Sequence, residues 1–403
     1  MNMEQLFGTV DFNATVRDYE FTQIAVRKIH SVVTSEDFAD MDVSHIFNFL
    51  YEEMEVVSFR DYLRRYVYER AEMREPFGDV PDETYRSIIM ESFKQNSAPH
   101  SFEPTTVKWG TMVKRWLEQK NVQRSTIFLL GFGLRMSDED ASDFLTKVLK
   151  EESFRLDDPW EAVCWYCFKN GQPYAKAMAL MEQYQADAVR VPLLGANRVT
   201  EEKLRENCTE KNLQIWLAQL KKAEAEEKCA DARRTCFEEL YRSCQEIIAA
   251  LYRDDELWRD GDEHVRQEDV GPADIERILY DGVPVTKNGN LQKMSKSLLN
   301  EQFQQRRITR QRLEDLLKGS AQADRFDLIT LQFLISSQTE DEDPQLRCRL
   351  FLDAANAVLE RCGMRKMYPV NPYEAFVMMC LLTELPLVSF YDVWQLSYDK
   401  VDE

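Results

Sequence analysis

The chain has 403 residues, 44% of them hydrophobic, with 51 basic against 71 acidic residues and a net charge of −20. That acid excess argues against non-specific attachment to nucleic acid or anionic membrane, which basic surfaces drive. The length allows two to three domains of about 150 residues each, and 13 glycines leave little room for phosphate-cradling loops.

In chain order the predicted elements are helical. Ser44 reads as the cap of a helix burying Ile46, Phe47, Phe49 and Leu50. A second helix carries Phe59 to Val67 and ends before Pro76-Phe77-Gly78-Asp79, and a third restarts after Pro81 with Tyr85, Ile88, Ile89 and Phe93 inward. Helical spacing returns at Val107, Met112, Val113, Trp116 and Leu117, then at Ser125 to Leu134. Ser137 followed by Asp138, Glu139 and Asp140 is a capped, dipole-matched start. Asp158-Pro159 begins another helix, with proline at its first position. Residues 200–252 read as one or two long helices, 253–274 as a charged loop, and Lys287-Asn288-Gly289-Asn290 as a turn. No stretch alternates as a strand would, so the expected fold class is all-α.

The chain repeats itself faintly. Pro159, Glu161, Ala162, Cys167 and Pro173 recur as Pro372, Glu374, Ala375, Cys380 and Pro386, each 213 positions on. Upstream, Phe144-Leu145 answers to Phe351-Leu352, and Arg124 with its apolar run to Arg325 with another, at different offsets. A repeat fixes how a chain divides. The expected organisation is N-terminal helices (1–52), a first helical unit (53–190), connecting long helices with a charged loop (191–282) and a second unit (283–403).

The second unit contains Ile308 to Gly319, a polar loop, then Arg325, Leu328, Ile329, Leu331 and Phe333. This stretch resembles the back half of a Cro/repressor-type (XRE-like) helix-turn-helix core, as in all-α bacterial proteins. In that family a recognition helix ends near a glycine and a loop leads to a core-closing helix. The resemblance implies a helical fold more than an activity. Residues 287–318 carry eight basic side chains against three acidic ones, a basic island on an acidic chain. Lys293, Lys296, Arg306, Arg307, Arg310, Gln311 and Arg312 are therefore the candidate contacts to nucleic acid or to a protein partner.

Other motifs carry less. Lys293-Met294-Ser295-Lys296-Ser297 resembles the signature loop of class I aminoacyl-tRNA synthetases. None of the four histidines, His30, His45, His100 and His264, stands in the companion motif that chemistry needs. The match is read as coincidence, and Ser295 or Ser297 as the cap of a helix through Leu298, Leu299 and Phe303. Cys164 and Cys167 fall inside a helix rather than at its start, and Cys229, Cys236 and Cys244 share one helical face, so both sets read as packing. Glu161 and Glu374 each stand three residues after an Asx at a helix start, which is capping-box spacing.

The start lacks the regions of an export signal, and no apolar run approaches the roughly 20 residues of a membrane span. The expectation is a cytoplasmic protein with reduced thiols. It has no cofactor, no metal, no membrane partner and no enzymatic activity, and it binds another protein through its helical units. The alternative is a DNA-binding transcriptional regulator that uses the 287–318 segment. Oligomeric state is left open.

Overall fold

The computed structural model describes residue 27 and residues 31–54, 57–186, 199–225, 231–254, 265–338, 343–367 and 371–399. Among the described residues the regular structure is helical, and the sole bridge between extended residues is an isolated one from Val285 to Leu291. The fold is all-α. Cys229, one of the predicted seam residues, and His30 and His264 lie outside the described residues.

The chain forms two compact units. Ala25–Glu55 joins Ala230–Glu403 in one, and Val56–Cys229 makes the other. These boundaries differ from the expected ones. Of the expected N-terminal segment the described residues 31–52, and of the expected connector residues 231–254 and 265–282, belong with the C-terminal residues. The reason lies in helix α1 (Val43–Asn48), whose Ile46 and Phe47 are buried. So short a helix cannot bury an apolar face alone, and its partners, α16 and α17 below, come more than three hundred residues later. Its cap also differs: Asp42, not Ser44, accepts from the His45 N–H.

In the Val56–Cys229 unit, α2 (Phe59–Arg70) is capped by Ser58 and buries Phe59, Tyr62, Leu63, Tyr66 and Val67, an unbroken helical stripe. The rings of Phe59, Tyr62 and Tyr66 converge on Phe144. Next come α3 (Asp82–Gln95), α4 (Trp109–Glu118) and α5 (Arg124–Gly133), the last buried from Ile127 onward. Gly131 and Gly133 make that burial feasible, because a Cβ at either would overlap the ring of Phe168 or Phe93. Ser137 and Asp140 form the predicted reciprocal cap of α6 (Asp138–Asp143), which runs on into one π turn. Then follow α7 (Pro159–Lys169), α8 (Tyr174–Gln185), α9 (Glu201–Glu206) and α10 (Glu210–Ala225).

The other unit contains α11 (Asp231–Asp254), α12 (Pro272–Leu279), α13 (Arg310–Leu317), α14 (Arg325–Ser336), α15 (Pro344–Arg361), α16 (Pro372–Leu381) and α17 (Pro386–Asp399). Helix α14 is buried on almost every side and packs between α11 and α15. Phe303, Phe376, Phe390 and Trp394 stack into the core, with Phe303 and Phe376 centroids 5.1 Å apart.

The repeat appears in three dimensions as an order of helices. In one unit an arginine-headed helix (α5), a helix with buried Phe144-Leu145 (α6 and its π turn), a proline-headed helix (α7) and a helix after Pro173 (α8) follow each other. In the other, α14, α15 with buried Phe351-Leu352, α16 and α17 do so.

Candidate functional site

Residues 284–292 form a tight hairpin. Gln292 N–H donates to the Pro284 carbonyl (2.9 Å), Thr286 N–H to Asn290 (2.7 Å) and Gly289 N–H to Thr286 (2.9 Å). Gly289 supplies the left-handed turn at φ 74°, as its side-chain-free backbone readily does. The predicted turn at Lys287–Asn290 is thus present, with Lys287 exposed at its tip.

The predicted helix from Ser295 or Ser297 does not form. Met294–Lys296 is a single 3₁₀ turn, and residues 298–305 are hydrogen-bonded turns. Gln304 and Gln305 are left-handed, at φ 53° and 61°, which no helix tolerates. Ser297 meets Ser397 at 2.7 Å and accepts from the Leu299 N–H, so it caps one turn and anchors it to α17. Lys293 and Lys296 remain exposed.

The arginines behave differently. Arg307 donates to the Tyr398 hydroxyl and to the Gln292 carbonyl, both at 2.9 Å, and lies over the Tyr280 ring. Arg306 pairs with Asp324 at 3.4 Å. The Arg310 backbone N–H donates to Glu276 and its side chain to Glu314 at 2.9 Å. Gln311 donates to Asp315 at 2.9 Å. Arg312 grips Asp327 through both oxygens, at 3.2 and 2.5 Å, and also donates to the Gln322 carbonyl. Burial and neighbouring Asp324 push the Asp327 carboxyl above the usual aspartate range, and Arg312 opposes that push. Two of the four arginines, Arg307 and Arg310, line one open cleft of about 480 Å³ together with Gln311, Glu276, Asn290 and Glu314, whereas Arg306 and Arg312 do not line it. Each of the four arginines, and Gln311, is engaged by an acidic or carbonyl partner of the same unit.

Helix α13 ends at Leu317, left-handed Gly319 (φ 71°) follows two residues on, and α14 begins across a short loop. The helix before α13 ends at Leu279, with the hairpin and turns of 280–309 between. A helix-turn-helix joins its helices by three or four residues; this arrangement has no such turn.

The Asx half of the expected caps is present, Asp158 accepting from the Glu161 N–H at 2.9 Å and Asn371 from the Glu374 N–H at 3.3 Å, but the glutamate carboxylates bind arginines. Glu161 takes Arg124 side-on (Nε–Oε1 2.8 Å, Nη2–Oε2 2.7 Å) and Arg155 at 2.6 and 2.8 Å. Arg124 also holds the Glu152 and Ser153 carbonyls. Glu374 takes Arg325 (Nε–Oε1 2.6 Å, Nη2–Oε2 3.0 Å), which also donates to the Arg365 and Lys366 carbonyls. The Glu161 oxygens accept five hydrogen bonds, four from the Arg124 and Arg155 side chains and one from the Arg155 N–H, while the two Glu374 oxygens each accept one from Arg325. Burial alone would raise the Glu161 carboxyl; the hydrogen bonds and charges of Arg124 and Arg155 outweigh it and hold the group below its ordinary value.

Cys164 and Cys167 are fully buried in α7, and burial pushes the Cys164 thiol far up and Cys167 to about 12. Among the described residues no cluster of three or more His, Cys, Asp or Glu could hold a metal ion, and no helix is long and apolar enough to cross a membrane.

Sequence reading missed a set of exposed leucines. Leu346 and Leu350 lie one helical turn apart on α15, at 39% and 48% exposure, and Leu385 is 63% exposed in the turn before α17. Arg347, buried between the first two, donates to the Leu381 and Thr383 carbonyls at 3.1 and 2.7 Å, and so ties α15 to the end of α16. The periodic signal was available, since Leu346 and Leu350 fall outside the stripe of Cys348, Phe351, Leu352 and Ala355. No protein-family model, curated protein or solved structure matches the chain.

Proposed function

We propose that this protein is a non-enzymatic interaction protein that binds another protein through the helical unit containing α15 to α17. The observation that carries the reading is the exposure of Leu346, Leu350 and Leu385 beside a rigid Arg347 tether. Large apolar side chains that a monomer leaves in water on a well-fixed surface are the usual anchors of an interface. The engaged arginines support it from the other side. A DNA-binding surface would offer Arg310, Gln311 and Arg312 to phosphates, whereas here each faces Glu314, Asp315 or Asp327. The exposed Arg310–Glu314 pair is easily broken, but the Arg312–Asp327 pair is not.

The test uses immobilised full-length chain, chemical cross-linking and mass spectrometry. A protein captured by the wild type should be lost with Leu350→Asp plus Leu385→Asp and kept with Arg306→Ala plus Arg310→Ala. In parallel, binding to mixed-sequence duplex DNA is measured by anisotropy at about 50 mM salt, where phosphate contacts are strongest. Capture indifferent to the leucines, or DNA binding lost in the arginine variant, would overturn the reading.

A further inference from the structure

Two cysteines far apart in sequence meet where α15 ends on α11. Ala232, Cys236 and Glu239 fall at i, i+4 and i+7 of α11 and so share one face. The end of α15 is fastened to that face at three points. Arg361 pairs with Glu239 through both oxygens at 2.8 and 3.1 Å, the Cys362 thiol lies 3.9 Å from the Ala232 carbonyl, and Arg233 Nε lies 3.4 Å from the Cys362 carbonyl. A helical side chain leans over the turn N-terminal to its own Cα, which brings the Cys236 sulfur toward that same Ala232 carbonyl. Both thiols thus face the same Ala232 carbonyl.

We propose that Cys236 and Cys362 are a redox-sensitive thiol pair that closes to a disulfide when a hydroperoxide reaches them. Cys236 is the attacking sulfur. Its thiolate forms an S–O bond to one peroxide oxygen as the O–O bond breaks, and the other oxygen leaves as hydroxide. The Cys362 sulfur then attacks the Cys236 sulfur, the S–O bond breaks, and the Cys362 proton departs with the hydroxyl as water. Two thiols and one hydrogen peroxide thus yield one disulfide and two waters. Burial pushes the Cys362 thiol up to about 12, which suits it to the second step rather than the first. Arg361, next to Cys362 in the chain, adds a positive charge whose field acts on both sulfurs. Closure would lock the start of α11 to the end of α15, and so constrain every helix between them in the unfolded chain.

The reduced full-length chain is treated with graded hydrogen peroxide, its remaining thiols are blocked under denaturing conditions, and it is digested with trypsin. A disulfide-linked pair of peptides, Thr235–Arg242 with Cys362–Arg365, should accumulate with dose and vanish with dithiothreitol. The thermal midpoint of the oxidised chain should rise by a few degrees, a shift absent from Cys362→Ser and Cys236→Ser. Partly exposed Cys208 serves as the internal control for peroxide delivery. Oxidised Cys208 without the linked pair would overturn the proposal. Should either serine variant fail to fold, the linkage in the wild-type chain decides alone.

Discussion

Arg325 holds Glu374 through both carboxylate oxygens, and its remaining donors go to the Arg365 and Lys366 carbonyls. The side chains are 9% and 1% exposed. Removing one partner of such a pair strands the other charge in the core, at a cost of about 3–5 kcal/mol. Glu374→Gln should therefore lower the urea midpoint sharply. Arg325→Lys should recover little of the loss seen in Arg325→Ala, because a lysine cannot serve two carboxylate oxygens and two carbonyls in one plane. The double variant Arg325→Met, Glu374→Leu should be less damaging than either single change. If it adds to them instead, the pair is not a unit.

Two arginines on one helix separate surface from buried pairing. Arg310 meets Glu314 in the open, at 65% side-chain exposure, whereas Arg312 meets Asp327, whose side chain is 3% exposed. Arg310→Ala should leave the midpoint almost unchanged, since an exposed i,i+4 pair contributes little. Arg312→Ala leaves Asp327 beside Asp324 without its counter-charge and should cost about 2 kcal/mol, less than a fully buried pair because Arg312 is partly in water. Equal effects of the two changes in urea titrations would contradict the geometry.

The glycines of α5 give a steric test. In an exposed helix Gly→Ala gains about 1 kcal/mol. At Gly133 the new methyl would overlap the Phe93 ring, which is fully buried and packed between Trp109 and Trp116 at 4.8 and 5.9 Å. That ring has no open space to move into. Gly133→Ala should destabilise by roughly 1–3 kcal/mol, the usual cost of overpacking. Gly78→Ala, where nothing lies within 4 Å, should be close to neutral in the same thermal assay.

These pairs also show what was legible in the chain. The helical periodicity, the Ser137 cap and the Pro159 and Pro372 helix starts could be read directly, because each depends on neighbours within one or two turns. The recurrence of Arg124 and Glu161 as Arg325 and Glu374 was visible too. Its meaning was hidden, since a glutamate at the third helical position serves a capping box or a buried arginine equally well, and the unequal spacing between the repeats kept the two residue types from being paired. The placement of α1 with α16 and α17 was beyond local reasoning. So was the engagement of Arg306, Arg307, Arg310 and Arg312, because several of their partners come from other elements.

Glu161 gives the unit formed by Val56–Cys229 a defined acid sensitivity. Its carboxyl is held below the ordinary value by Arg124 and Arg155 against the opposing push of burial. A carboxylate whose folded pKa is depressed binds protons more readily when unfolded, so stability rises with pH wherever the unfolded group titrates. Its contribution is fully present above the ordinary glutamate range, near 4.3, and is lost as pH falls through the lower folded value. Thermal midpoints measured from pH 7 down to pH 3 should fall most steeply below about pH 4.5. Glu161→Gln should start lower at pH 7, with Arg124 and Arg155 left only their longer carboxylate contacts to Glu151 and Glu152 at 3.4 and 3.8 Å, and should lose part of that acid slope. An unchanged slope in the variant would show that other carboxylates set the acid limit and that the Arg124–Glu161 pair does not.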